Sequence, residues 1–330
     1  MRQPFLFLQA NKMNTTKGQL YTSTILSLSK AKKTVWWLLK IILPISLAVS
    51  FLQYWGVIAF IANLLSPAFS IIGLPGESAV VFITSIFVPL YAPIAIIATL
   101  PMDMRQITIL ALMCLISHNL FVETAVQKKT GSSAFTMFFL RLTTSIIAAF
   151  ALNLLLPEHV GSTRTIQKSV EFASEIDMLR NWLINTAWLS LKMSLIVTGL
   201  MILQNILKEF KILDLISKAF EPFMKIMGLN RDSSFLWFVA QTLGLGYGSA
   251  IMIEEISSKR VTLENANLLN HHIAINHSLL EDTLLFAAIG VPVGWIIAPR
   301  FILSITIVWF VRARISFKKN QQKKVNYKKL

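Results

Sequence analysis

The feature that most limits how this chain folds is a series of apolar runs, several of them about 20 residues or longer. A helix needs about 20 apolar residues to cross the hydrocarbon core of a bilayer, whereas the strands of a membrane barrel are shorter and alternate in polarity. Hydrophobic residues make up 55% of the chain and charged residues only 14%. The sequence therefore predicts an all-α integral membrane protein and excludes a soluble globular domain.

The net charge of +15 would suit a nucleic-acid-binding protein, but the cations are concentrated in the terminal segments and connecting loops. Lysine and arginine collect in this way on the cytoplasmic side of membrane proteins. We therefore expect the lipid bilayer, and no nucleic acid, to be the partner of these charges. The tail from Arg312 to Lys329 carries eight cations and is expected to lie near anionic headgroups. No cleaved signal peptide is expected, and the single cysteine, Cys114, excludes a disulfide framework.

A polar motif occurs twice, as ISHNLFVET at 116–124 and as INHSLLEDT at 275–283. Glycines, prolines and charged residues elsewhere recur in the same order in both halves of the chain. The sequence therefore predicts two copies of one helical unit. The expected organisation is a basic cytoplasmic N-terminal segment, a first repeat, a polar linker, a second repeat and a basic cytoplasmic tail, at residues 1–34, 35–156, 157–181, 182–311 and 312–330.

Each repeat contains an apolar segment that is interrupted near its middle, by Pro89–Pro93 (PLYAP) in the first and by Gly244–Gly248 (GLGYG) in the second. Proline cannot donate to the helical ladder and glycine weakens it. Each segment is then either one kinked crossing or a re-entrant hairpin that enters and leaves on one side. Hairpins place 23 cations inside and four outside, against 20 and seven for full crossings. The positive-inside rule favours the hairpins.

The predicted fold is therefore two inverted repeats, each with three spanning helices, an interfacial segment and a re-entrant hairpin. An odd number of crossings turns the second copy upside down relative to the first, which is the architecture of many secondary transporters. We expect a multi-pass protein of the cell (cytoplasmic or inner) membrane with both termini in the cytoplasm.

Glu123 and Arg141 are as far apart in the sequence as Asp282 and Arg300, and each stretch has a turn near its midpoint. Two antiparallel helices would bring each acid and its arginine to the same depth, and a paired charge costs much less in lipid than a lone one. The spacing predicts the ion pairs Glu123–Arg141 and Asp282–Arg300. These pairs either lock the helices together or open to take an anion or a proton.

A substrate or ion site is predicted at the bilayer midplane, where the two hairpin tips meet the histidine helices. Broken segments expose helix ends and free carbonyls that suit ions and polar ligands. The alternative is that buried histidines only form hydrogen bonds between helices. The predicted site residues come from the duplicated motif and the two interruptions: His118, Asn119, Glu123, His277, Ser278, Glu281, Asp282, Pro89, Tyr91, Pro93, Gly244, Gly246, Tyr247 and Gly248. On continuous helices, Asn119 shares a face with Glu123 and Ser278 with Asp282.

The histidines and acids of the motif are potential metal ligands, but the sequence has no HxxH, HExxH or CxxC spacing. It therefore predicts no permanently bound metal and no cofactor. His271 and His272 have no counterparts in the first half and are expected either to support the site residues from behind or to be structural. No serine–histidine or paired-aspartate catalytic motif is present, so we do not expect an enzyme.

Three stretches, Gly73-Leu-Pro75, the run into Val88-Pro-Leu-Tyr91 and its counterpart Leu243–Ser249, resemble the Gate or "nucleoside recognition" family. That family includes spore maturation proteins A and B and the membrane gates of ferrous-iron transporters. The resemblance covers roughly 40–156 and 185–312 and implies inverted repeats with hairpins, related to concentrative nucleoside carriers. It does not fix a substrate. The chain lacks the G-x-x-x-x-G-K-[ST] loop of the iron transporters and has no cysteine at the hairpin tips.

These features favour a Gate-type inner-membrane transporter or permease whose substrate is a nucleoside-like solute, another small organic solute or an ion. Coupling would be to an ion gradient, because the sequence has no hydrolytic motif. The alternative is a non-transporting membrane component or a partner-dependent gate resembling the spore maturation proteins. Either function is compatible with a homo-oligomer or a second membrane subunit.

Overall fold

The structure, a computed structural model, describes residues 16–160 and 174–327. Every regular element in these ranges is a helix, and five helical stretches are long and apolar enough to cross a membrane. The first half contains α1 (Thr16–Tyr54), α2 (Val57–Ser70), α3 (Ser78–Phe87), α4 (Tyr91–Ile97), α5 (Met104–Ser117), α6 (Leu120–Lys129) and α7 (Ala134–Leu155). The second half contains α8 (Glu175–Glu209), α9 (Ile212–Ile226), a 3₁₀ turn (Arg231–Ser233), α10 (Ser234–Ser257), α11 (Leu263–Ile275), α12 (Glu281–Ala287) and α13 (Val293–Tyr327).

The two halves place the same backbone conformations at the positions that match in sequence. In each half a long helix is followed by a shorter one, an interrupted segment, a helix that breaks at the histidine motif and a final long helix, with α10 in the place of α3 and α4. Left-handed residues recur in pairs: Gly73 and Gly228 (φ 72 and 72), Asn119 and Ser278 (φ 49 and 46), and Gly131 and Gly290 (φ 97 and 98). Such conformations are uncommon outside glycine, so their recurrence supports one local fold built twice.

The stretch Met104–Lys129, formed by α5 and α6, lies at the centre of the helices. Of the 18 most apolar consecutive residues in this stretch, 72% are buried, against 22–33% for the other four candidate spans. Outer helices expose large apolar side chains, including Phe60, Phe135 and Phe310, each at least 70% exposed. Exposed apolar surface of this extent is suited to lipid contact. The surrounding helices therefore shield the buried polar groups of α5 and α6, among them Thr108, Glu123 and Gln127.

Both predicted interruptions are sites where helical geometry stops. Helix α3 ends at Phe87, Val88 is extended (φ −134, ψ 162), and α4 begins at Tyr91. Within α10, Gly244 alone departs from helical geometry (φ 78, ψ 171), a conformation that only glycine adopts at low cost. Pro93 and Gly248 continue as parts of α4 and α10.

The first helix differs from the expected boundaries. The sequence predicted a basic segment over residues 1–34 before the first repeat, whereas α1 already begins at Thr16 and ends at Tyr54. Gly56 then takes a left-handed conformation (φ 75), and a separate helix, α2, follows. An apolar run does not reveal such a turn, because residues on both sides of Gly56 are equally hydrophobic.

The second half also begins and breaks at residues that the pattern did not predict. Helix α8 starts at Glu175, within the expected linker, because the Ser174 hydroxyl accepts a hydrogen bond from the Asp177 backbone N–H (3.2 Å) and caps the helix. The crossing expected to carry the second histidine motif is divided into α11 and α12, of 13 and 7 residues. This crossing is therefore not among the five long apolar stretches of the described chain.

Candidate functional site at the paired helix breaks

The first histidine motif interrupts the central stretch about halfway along its length. Helix α5 ends at Ser117, His118 is extended (φ −62, ψ 153), and Asn119 is left-handed before α6 begins. The Asn119 N–H, which has lost its helical acceptor, donates instead to the Ser85 carbonyl of α3 (2.7 Å). The first interrupted segment therefore contacts the histidine motif directly.

The second motif breaks in the same way. Helix α11 ends at Ile275, and left-handed Ser278 donates its N–H to the Ala240 carbonyl of α10 (3.1 Å). Ser85 and Ala240 themselves occupy matching positions in the two halves. The expectation of continuous helices through both motifs was therefore wrong. Neither break contains proline or glycine, the residues whose local effect on the helix predicted the two interruptions. The left-handed residues here are an asparagine and a serine, which are also found inside helices.

Two buried arginines satisfy the carbonyls that these breaks leave free. Arg141 donates from Nε to the Ile116 carbonyl and from Nη2 to the His118 carbonyl, both at 2.8 Å. Arg300 makes the same two contacts in the other half, to Ile275 (3.3 Å) and to His277. Both arginines are 0% exposed. Since the last carbonyls of a helix have no partner within it, these guanidinium groups hold both breaks in place.

Four side chains from both halves meet at one place. The His118 Nε2 lies 3.3 Å from Glu123 Oε1 and 3.6 Å from Asp282 Oδ2, and the His277 Nε2 lies 3.2 Å from Glu123 Oε2. The two imidazole rings are 5.2 Å apart between centroids. All four side chains are buried, at 6%, 1%, 8% and 7% exposure for His118, His277, Glu123 and Asp282. We call these four residues the central cluster.

The two expected acid–arginine contacts have different outcomes. Arg141 Nη1 lies 2.7 Å from Glu123 Oε2, which is close enough for an ion pair, although the N–H is not aligned as a hydrogen bond. Among the described ion pairs, closer than 4.0 Å, Asp282 does not contact Arg300 but lies beside His118. Aspartate is one methylene shorter than glutamate, so at the matching position its carboxylate reaches less far. The Arg300 Nη1 is left without a hydrogen-bond partner.

Buried polar atoms that form no hydrogen bond are concentrated around the central cluster. Buried side-chain atoms without a hydrogen bond include one from each of three cluster members, namely Glu123 Oε2, His277 Nε2 and Asp282 Oδ2. The neighbouring Asn276 has both side-chain atoms unpartnered, and Gln241 Oε1 is unpartnered as well, although Gln241 Nε2 donates to the Asn276 carbonyl (2.5 Å). Native interiors contain few such atoms. Asn276 and Gln241 are not among the predicted site residues, although both are polar residues in apolar runs.

The interrupted segments bring other predicted site residues toward the cluster. The Tyr91 hydroxyl of α4 donates to Glu281 Oε1 (2.6 Å), a contact between the two halves. A Cβ at Gly244 would lie 3.3 Å from the Ser278 hydroxyl, so the second interruption also adjoins its motif. Pro89 lies in the turn between α3 and α4. The side chain of Tyr247, and Gly246 beside it, lie outside the part of the chain whose burial is described.

Two further histidines of α11 do not join the cluster. His272 receives a hydrogen bond from Trp237 Nε1 (3.2 Å) and lies 3.1 Å from the Ser304 hydroxyl, so both ring nitrogens are occupied. His271 lines a pocket of ≈ 580 Å³ between α7, α11 and α13. The lining of that pocket includes no residue of the central cluster. The expectation of structural roles for both histidines stays a prediction.

Comparison with known proteins gives the family. The sequence model of the Gate family, described as "nucleoside recognition", matches residues 35–156. YvoD of Bacillus subtilis, described as an uncharacterized membrane protein, is 31% identical over 267 residues, which cover 79% of this chain and 85% of that protein. No solved structure matches the chain. The chain, with its apolar helices and matched halves, belongs to the Gate (nucleoside recognition) family of membrane proteins.

Proposed function

We propose that this protein is an inner-membrane transporter in which two inverted repeats enclose a central site for a small solute or ion, with movement coupled to an ion gradient. The observation that carries the proposal is the concentration of buried polar atoms without a hydrogen bond at the breaks of both histidine helices. His118 lies near the middle of Met104–Lys129, the most buried of the candidate spans. Ionisable groups at such a depth mark substrate or ion pathways.

The inverted arrangement is supported by the interrupted segments. The arms α3 and α4 have 10 and 7 residues, which correspond to about 15 and 10 Å of helix, well short of a hydrocarbon core of about 30 Å. Each interrupted segment contacts the histidine motif of its own half through a backbone hydrogen bond. A re-entrant hairpin that turns near the midplane has both properties. The distribution of cations adds independent support for this arrangement and for termini on the cytoplasmic side.

Alternating access requires the contacts around the closed cluster to open. The hydrogen bonds from Tyr91 to Glu281 and from Asn119 to the Ser85 carbonyl both connect an interrupted segment to a motif. Single hydrogen bonds of this kind contribute only about 1–3 kcal/mol. Ligand binding of ordinary strength can therefore shift such an equilibrium toward an open state.

A second candidate function is favoured by the closure of the cluster. All four of its side chains are at most 8% exposed, and the 580 Å³ pocket near His271 does not include them. A non-transporting membrane component, or a gate that opens only with a partner subunit, would have such a closed interior. Neither alternative involves catalysis, and both are compatible with a homo-oligomer.

Uptake into vesicles distinguishes the two functions. The full-length protein would be reconstituted and supplied with radiolabelled nucleosides, organic anions and inorganic ions, with and without proton and sodium gradients. The variants are His118→Ala and His277→Ala. The control is His271→Ala, which removes a histidine of α11 that lies outside the cluster.

The proposal predicts gradient-dependent uptake of at least one solute by the wild type and by His271→Ala, and loss of that uptake in both cluster variants. Equal uptake by all four proteins would remove the site assignment. No uptake of any solute, from protein that is folded and correctly inserted, would favour the non-transporting alternative.

A further inference from the structure

We propose that the central cluster binds a divalent transition-metal cation through His118 Nε2, His277 Nε2 and Asp282 Oδ2. These three atoms all lie within 4.8 Å of one another, and all three side chains are buried. The ligands come from two segments in different halves of the chain, so no short metal-binding motif in the sequence could have revealed them. The transport of this cation rests on the proposed function, whereas its binding does not.

The hydrogen bonds of the histidines determine which ring nitrogens face the cluster as acceptors. The Nδ1 of His118 is 3.0 Å from the Cys114 carbonyl, and the Nδ1 of His277 is 2.8 Å from the Ile273 carbonyl. A carbonyl oxygen only accepts, so in each neutral ring Nδ1 carries the proton and Nε2 keeps its lone pair. A backbone carbonyl is a usual outer partner for a metal-ligating histidine.

These lone pairs face other acceptors. The His277 Nε2 is 3.2 Å from Glu123 Oε2, and the His118 Nε2 is 3.6 Å from Asp282 Oδ2. Two acceptors at this distance repel each other unless a cation lies between them. The absence of a hydrogen bond at His277 Nε2 and at Asp282 Oδ2 is the second observation that indicates a ligand here. One divalent cation supplies the same charge as protonation of both histidines and occupies all three acceptors at once.

The ligand set selects the class of cation. Two imidazole nitrogens and one carboxylate oxygen suit zinc, iron, cobalt and nickel, whereas calcium and magnesium prefer oxygen ligands. At metal–ligand distances of about 2.1 Å, tetrahedral ligand atoms are roughly 3.4 Å apart. The 3.6 Å between His118 Nε2 and Asp282 Oδ2 is already close to this value. The remaining separations, none above 4.8 Å, require a closure of at most about 1.4 Å.

The surrounding charges favour an exchangeable cation over a permanent one. Arg141 holds Glu123 by an ion pair and so reduces the availability of that carboxylate, whereas Asp282 forms no ion pair with Arg300 among the described residues. The two buried guanidinium groups near the cluster repel a bound cation and so weaken its binding. A site that binds and then releases its ion is what a transported substrate requires.

Cobalt(II) is a suitable probe, because its visible absorption reports the number and type of ligands. The purified full-length protein in detergent would be titrated with Co²⁺, and the bound metal counted by equilibrium dialysis. The variants are His277→Ala and Asp282→Asn, the control is His271→Ala, and circular dichroism checks that each variant is folded.

The proposal predicts one Co²⁺ per chain in the wild type and in His271→Ala, with an absorption spectrum typical of nitrogen and oxygen ligands. Loss of a direct ligand is expected to weaken binding by roughly 100-fold in either cluster variant, and Mg²⁺ and Ca²⁺ in excess should not displace the probe. If His277→Ala does not fold, the milder Asp282→Asn decides. No stoichiometric binding by the wild type, or equal binding by the control and the cluster variants, would overturn the metal site and indicate protonated histidines.

The same protein in vesicles separates this inference from the transport proposal. Stoichiometric Co²⁺ binding without Co²⁺ uptake supports the metal site and contradicts transport of the metal. Uptake of another solute without Co²⁺ binding contradicts the metal site and leaves the transport proposal in place.

Discussion

Replacing Arg141 by methionine tests whether the two matched arginines have different roles. Both arginines cap two carbonyls at a helix break, but only Arg141 also contacts a carboxylate, with Nη1 2.7 Å from Glu123 Oε2. In Arg300→Met, two buried carbonyls lose their donors, at about 1–3 kcal/mol each. In Arg141→Met, the same loss is joined by a buried carboxylate without its cation, which adds about 3–5 kcal/mol.

The free energy of unfolding would be measured in mixed micelles by titration with a denaturing detergent, monitored by circular dichroism. Arg141→Met is expected to lose about 3–5 kcal/mol more than Arg300→Met. Adding Glu123→Gln to Arg141→Met should recover most of this difference, because the unpaired charge is then removed. Equal losses in the two single variants, or no recovery in the double variant, would refute the reasoning from these contacts.

Four further substitutions test the packing of the helices and the contacts around the site. Gly76→Ala puts a Cβ 2.0 Å from the Ala62 carbonyl oxygen and should lower the free energy of unfolding by about 3 kcal/mol or more. In the control Gly199→Ala the new Cβ meets no atom within 4 Å, so the substitution should be neutral or stabilising by up to about 1 kcal/mol. Similar effects of the two substitutions in the same titration would contradict the packing. Tyr91→Phe removes the 2.6 Å hydrogen bond to Glu281 and should lower the unfolding free energy by about 1.5–3 kcal/mol; an unchanged value would mean that this contact does not join the halves. Gly244→Ala should cost about 1–3 kcal/mol because of its positive φ of 78°, and a cost-free substitution would argue against the break.

Sequence alone reached the helical class and the positions of the two interruptions. These features depend on composition, and on proline and glycine, whose effects on the helix are local. The break at Asn119 could not be derived in this way. Asparagine is tolerated inside helices, and its left-handed conformation here is accompanied by a hydrogen bond to Ser85, which lies on a different helix, α3.

The contacts at the site were harder to predict than the fold, because they depend on tertiary structure. Spacing was enough to bring Glu123 opposite Arg141, because the two lie on helices joined by a short turn. It was not enough for Asp282, whose shorter side chain lies beside His118 of the other half. Contacts between the halves, such as this one, have no signature in linear spacing. The carbonyl-capping role of the arginines was likewise missed, since it exists only once the helices break.

Cysteine labelling tests most directly whether the two halves have opposite orientations in the membrane. Cys114 is buried, so single cysteines introduced as Lys129→Cys, Glu158→Cys and Lys319→Cys can be labelled by a maleimide that does not cross membranes. Hairpins predict that positions 129 and 319 react from the cytoplasmic side and that position 158 reacts from the opposite side. Full crossings exchange positions 129 and 158 while position 319 stays cytoplasmic, and that result would contradict the inverted repeats.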